Sequence, residues 1–114
     1  MCDKSVLDEI TSRVCAAAKE VLGDKLEKVI LFGSYARGDY DEESDIDIMI
    51  IAEIALEEAN ETRRKIRSRM EYIGLEYNIL VSLRMACSGI FHKHKDISGL
   101  YINVQKDGVE LYAA

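Results

Sequence analysis

The run Phe32-Gly33-Ser34-Tyr35-Ala36-Arg37-Gly38-Asp39-Tyr40, followed by Ser44-Asp45-Ile46-Asp47-Ile48-Met49-Ile50-Ile51, constrains this chain more than any other stretch. Val29-Ile30-Leu31 before it is apolar and β-branched, which predicts a buried strand entering a glycine turn. Gly33 accepts backbone angles that other residues avoid and permits close approach of a ligand. Ser34 offers a hydroxyl and is expected to cap a short helix, whose first N–H groups attract phosphate. Asp45 and Asp47 stand two apart in the next predicted strand and so share a face, while Ile46, Ile48 and Ile50 take the other. Two carboxylates opening so apolar a strand call for a cation. Carboxylate oxygens suit Mg²⁺, which is usually shared with substrate phosphates. A phosphate corner and a metal-binding acid pair on neighbouring strands make a phosphoryl- or nucleotidyl-transfer site.

These residues resemble a known family. Gly33-Ser34, Ala36-Arg37-Gly38-Asp39 and Ser44-Asp45-Ile46-Asp47 are similar to the signature of the DNA polymerase beta nucleotidyltransferase superfamily. The nearest likeness is to its minimal, stand-alone members, several of which are antitoxins paired with a HEPN toxin. The likeness extends over Tyr77-Asn78-Ile79-Leu80-Val81-Ser82 and over Asn103 to Val109. It implies an α+β fold, a small mixed sheet with helices packed on it. It also implies a nucleoside triphosphate substrate, ATP, with Gly33 and Ser34 on its β- and γ-phosphates. Asp45 and Asp47 would hold Mg²⁺ at the α-phosphate, and a nucleoside monophosphate would pass to a hydroxyl. Arg37 has two equal readings, a phosphate contact or an ion pair with Asp39.

The superfamily takes a third carboxylate from a later strand, and the matching position here holds Asn78. Asn is neutral and cannot take a proton, though its carbonyl oxygen can ligate metal. Glu76, two residues earlier on the expected strand face, is the candidate substitute; the alternative is an ordinary strand-end charge. Two functions follow. One is an enzyme that moves AMP onto a partner protein, a HEPN-type toxin by resemblance. The other is a catalytically impaired relative that neutralises its partner by contact. A small-molecule acceptor is disfavoured, because the length leaves little room for a second domain.

The chain has 114 residues, which suits one domain over residues 1–114. A net charge of −6 argues against a general nucleic-acid binder. No apolar run of membrane-spanning length and no secretory leader is visible. Three scattered cysteines argue against a disulfide framework and point to the cytoplasm. Apolar periodicity predicts a helix over 5–22 that stops at Gly23, and strands over 26–32 and 45–52. A long helix is expected over 56–73, with Leu56, Ala59, Ile66, Met70 and Ile73 facing the core. Its Arg63, Arg64, Lys65, Arg67 and Arg69 read as a solvated face or as a basic patch for a partner. A third strand is expected over 75–82. Residues 84–96, broken by Ser88-Gly89, are expected to form a surface loop that carries His92 and His94. A short helix over 97–106 and a strand over 109–112 end the chain. The apolar helix faces are compatible with a homo- or hetero-oligomer. A calcium loop over 39–50 fails, since Ser44 stands at the sixth position and Ile50 at the twelfth.

Overall fold

Strand β1 (Leu26–Phe32) and strand β2 (Ile46–Ala52) form an antiparallel pair at the centre of a four-stranded sheet. A computed structural model describes residues 4–41, 43–70 and 76–114. Strand β3 (Val81–Cys87) pairs parallel to β2, and strand β4 (Val109–Ala113) pairs antiparallel to β1. The order β3-β2-β1-β4 therefore mixes both pairings. Parallel pairing of β2 with β3 requires a long crossover, which helix α3 (Ala59–Arg69) supplies.

Alternation along the strands sorts the core into two layers. Val29 and Leu31 of β1, Ile46, Ile48 and Ile50 of β2, and Val81 and Leu83 of β3 face one side. There they meet Ile10, Val14 and Ala17 of helix α1 (Lys4–Leu22) and Ile66 of α3. Ile30, Met49, Ile51 and Ala86 face the other side, against Phe91 of helix α4 (Ser88–His94) and Val104 of helix α5 (Gly99–Asp107). Each fully buried Val or Ile contributes about 1.5–3 kcal/mol. Exposed helical ion pairs such as Glu61–Lys65 give only about 0.3–0.5 kcal/mol. Packing against the sheet, not charge, thus holds α3 in place.

A register shift between Leu26 and Lys28 leaves Glu27 as an extra residue in β1. Its carboxylate accepts from the Ser88 hydroxyl at 2.9 Å and meets His92 Nε2 at 2.8 Å. Burial pushes the Glu27 carboxyl up, but hydrogen bonds from His92 and Ser88, with the nearby charges of His92 and Lys28, outweigh it and hold the group below its usual value. The bulge thereby ties β1 to the start of α4.

Three expectations need correction. The third strand runs over Val81–Cys87, not 75–82, because Asn78 sits in a left-handed turn at φ 55° that stops an earlier start. Residues 84–96 are not a surface loop: they complete β3 and form α4, which Phe91 anchors. Leu56 lies in a 3₁₀ turn before α3 and is 68% exposed, so it is not a core residue. Ile66 and Met70 are buried as expected, and Ile73 lies outside the described residues. Among the described residues no helix is long and apolar enough to cross a membrane.

Candidate active site

The site forms where β1 ends and β2 begins. Phe32, the last residue of β1, is the register partner of Asp47. The next residue, Gly33, turns the chain at φ 76° and ψ −157°. A methyl group built on Gly33 would overlap Asp47 Oδ2, so only glycine lets the turn and the carboxylate share this space. The turn leads into the four-residue helix α2 (Ser34–Arg37), closed by Gly38 at φ 85°. Gly33 itself occupies the cap position: its carbonyl accepts from Ala36 N–H and Arg37 N–H, both at 3.1 Å. Ser34 is the first helical residue rather than the cap. Among the described residues its hydroxyl has no hydrogen-bond partner.

The acidic loop that follows is folded on itself. The Tyr35 and Tyr40 rings stack at 4.3 Å, with 9° between their planes. The Asp41 carboxylate accepts from Glu43 N–H at 2.9 Å, and the Ser44 hydroxyl accepts from Asp41 N–H at 3.0 Å. Of the two readings of Arg37, the ion pair is the one formed, with Nε 3.2 Å from Asp39 Oδ2. Both partners are largely exposed, so the pair exchanges easily with a ligand anion.

Asp47 is half-buried beside Asp45, which lies just before β2 and is exposed. Burial pushes the Asp47 carboxyl above its usual range, and the Asp45 charge pushes it the same way. Arg84 and Arg37 pull it back in part. A half-buried carboxylate whose proton affinity is raised beside a second carboxylate favours a cation there. Their hard oxygen donors fit Mg²⁺, which keeps open positions for water and phosphate. Among the described residues no group of three or more His, Cys, Asp or Glu side chains is gathered to hold a metal.

Glu76 and Asn78 lie before β3, both exposed, so the shared strand face that linked them in the sequence reading does not exist. The parallel ladder puts Ser82 opposite Asp47 and Arg84 opposite Met49. No residue of Val81–Cys87 is acidic. Ser82 and Arg84 are the residues that sequence reasoning missed. Their signal was the alternation of apolar Val81, Leu83 and Met85 with polar Ser82 and Arg84, a period of two that marks a strand. His92 and His94 lie on α4, where His92 meets Glu27.

A strand, a glycine-serine corner and an acid pair at the start of the adjoining strand thus meet at one end of a mixed sheet. The nucleotidyltransferase domain family matches residues 13–108, and the chain belongs to that family of enzymes. Two relatives in Methanocaldococcus jannaschii bear protein adenylyltransferase names. MJ0141 is 50% identical over 62 residues, 54% of this chain and 61% of that protein. MJ0604 is 34% identical over 96 residues, 84% of this chain and 88% of that protein. The chain thus spans about three-fifths of the first and most of the second. Among solved structures, a toxin-antitoxin with AMP-PNP is similar at a TM-score of 0.56 and 19% identity, over 91% of this chain and 73% of that one. A mutant of the toxin-antitoxin MntA-HpeT is similar at 0.61 and 19%, with the same coverage. That likeness is one of fold.

Proposed function

We propose that this protein transfers a nucleoside monophosphate, AMP from ATP, to a hydroxyl on a partner protein: the hydroxyl oxygen bonds to the α-phosphorus and gives up its proton, the α–β phosphoanhydride bond breaks, and pyrophosphate leaves. The observation that carries the reading is the seating of Asp47 Oδ2 against the Gly33 turn, which brings the acid and the phosphate corner to one point. Ser34 would bind the triphosphate tail through its unengaged hydroxyl. Arg37 would leave Asp39 to neutralise a phosphate oxygen. Asp45 and Asp47 would hold Mg²⁺, which when bound supplies charge stabilisation at the α-phosphate. The fixed β1–β2 ladder orients these groups before substrate arrives, and positioning of this kind carries most phosphoryl-transfer catalysis. The names of the Methanocaldococcus jannaschii relatives support a protein acceptor, and the toxin-antitoxin neighbours support a toxin as that partner; a HEPN type for it rests on the sequence resemblance alone. Free thiols at Cys15 and Cys87 support a reducing, cytoplasmic setting.

A second reading keeps the nucleotide but not efficient transfer. Ser82 and Arg84 stand on the face of β3 beside Asp47, where a third carboxylate would complete the site. The protein would then neutralise its partner by contact. Incubation with labelled ATP, Mg²⁺ and the protein encoded beside it separates the two. Label transfer that disappears in Asp47→Ala supports the enzyme. A tight complex without transfer, unchanged in Asp45→Ala and Asp47→Ala, supports the binder.

A further inference from the structure

Among the described residues β3 pairs with β2 and with no other strand, and its second edge is unpaired there. In a ladder, alternate residues turn N–H and C=O to the same side. The Leu80 carbonyl accepts from Ile46 N–H at 2.9 Å, so Leu80, Ser82 and Arg84 address β2. Val81, Leu83 and Met85 therefore turn their backbone groups outward. Arg67 Nη2 donates to the outward Val81 carbonyl at 3.1 Å. Among the described residues nothing takes the outward groups of Leu83 and Met85. Proteins usually blunt such edges with proline, lysine or a bulge. This strand has none of them, and its register with β2 is unbroken from Val81 to Cys87.

The edge opens onto a groove of about 400 Å³ between β3 and the start of α3, lined by Leu56, Ala59, Arg63, Leu83 and Arg84. Leu56, at 68% exposure, gives it an apolar margin. The charge of the groove opposes that of the molecule: the chain carries −6 overall, but the groove presents two guanidiniums. Among the described residues neither Arg63 nor Arg84 forms an ion pair within 4 Å. Arg84 links the groove to the site, since it lines the groove and its charge also acts on the Asp47 carboxyl.

We propose that the β3 edge docks an extended, acidic segment of the partner polypeptide as a fifth strand. Its backbone pairs with Leu83 and Met85, its carboxylates meet Arg63 and Arg84, and its apolar side chains cover Leu56. This rests on the reading of a protein acceptor and adds how that acceptor is held. Two strand spacings, roughly 10 Å, separate a docked residue from β2, a gap that a long hydroxyl side chain and a phosphate can fill. A second copy of this chain fits poorly. Edge-to-edge pairing would set the same two arginines of each copy near one another, and like charges across a ladder repel.

The test titrates the full chain against two fluorescein-labelled decapeptides, one alternating Glu with Val and ending in Tyr, the other with Lys in place of Glu. The acidic peptide binds at least tenfold tighter at low salt, and Arg63→Glu removes that preference. Met85→Pro deletes one outward N–H, leaves the β2 ladder intact and weakens binding at least fivefold. Should that variant melt early, Arg63→Glu asks the same question through charge. Bound peptide protects the Leu83 and Met85 amides from hydrogen exchange. Equal binding of the two peptides, or acidic binding that survives both variants, overturns the proposal. So does self-association that Met85→Pro abolishes, because the edge then belongs to a second copy. Mg-ATP is titrated in parallel. Lost ATP binding with docking intact refutes nucleotidyl transfer and leaves the docking edge standing; intact ATP binding without docking refutes the edge alone.

Discussion

Asp47 packs against Gly33 so closely that its Oδ2 fills the space a side chain at Gly33 would need. The acid and the phosphate corner are one packed unit. Gly33→Ala is therefore a double fault, since it strains a backbone at φ 76° and displaces the carboxylate. We expect a loss of about 1–3 kcal/mol in urea unfolding. We also expect Mg-ATP affinity to fall at least tenfold in calorimetry. A variant that keeps both values would separate the turn from the site.

Asp47 should cost the folded state stability whenever it is ionised. Its folded pKa lies above the unfolded value of 3.8, through burial first and the Asp45 charge second. Below that unfolded value both states hold the proton, and the residue is neutral in the balance. As pH rises through the folded pKa, the native state gives up its proton at a cost, and the full penalty persists at neutral pH. Asp47→Asn should thus melt on the order of a few degrees higher than the parent at pH 7 without Mg²⁺, with no gain at pH 3. The parent should gain more from added Mg²⁺ than the variant. A variant that melts lower at pH 7 would contradict this assignment.

Glu27 carries the opposite sign. Its folded pKa is below the unfolded value of 4.5, because contacts with His92 and Ser88 outweigh burial. Its contribution is present above that value and is lost as pH falls through the folded pKa. Glu27→Gln should cost about 1 kcal/mol at neutral pH and little in acid, where the parent has already lost the term. Hydrogen exchange should show α4 opening more readily in the variant. Chemical denaturation at the two pH values reads the difference directly.

Ser82, not Asn78, is the position at which to restore a third carboxylate. Ser82 is the register partner of Asp47, whereas Asn78 lies in a turn ahead of the strand. Ser82→Asp should raise transfer at least tenfold, about 1.4 kcal/mol in the barrier. Asn78→Asp should leave the rate within about twofold, since Asn78 is exposed in the turn before β3 and is not paired beside Asp47. Single-turnover transfer of labelled AMP distinguishes them. A gain at Asn78 alone would return the third ligand to that residue.

The strands that build the site were legible because their signals are local. Val29-Ile30-Leu31 followed by Gly33 marks β1, and alternation after Asp45 marks β2 and its faces. β3 was misplaced because Ile79-Leu80-Val81 looks like a strand centre. The backbone of Asn78, at φ 55°, places the break just after it instead, and asparagine tolerates that region better than most residues. α4 was hidden by Ser88-Gly89, which reads as a breaker. Burial of Phe91 under the sheet overrides that weak preference. Leu56 was misread because a helical period was extended backward over a 3₁₀ turn that points it to solvent. Convergence of Gly33 on Asp47 was implied by their sequence order, but the place of Ser82 and Arg84 beside them depends on register, a property of two chain segments rather than one.

The stacked rings of Tyr35 and Tyr40 span the helix and glycine between the phosphate corner and the acidic loop. That clasp makes a short closed circuit of a segment that would otherwise wander in solvent. The disorder it would lose on meeting a nucleotide has already been surrendered during folding. On the proposed function, a triphosphate arriving here would find its seat rigid, and its grip would not be diluted by having to tame the chain around it.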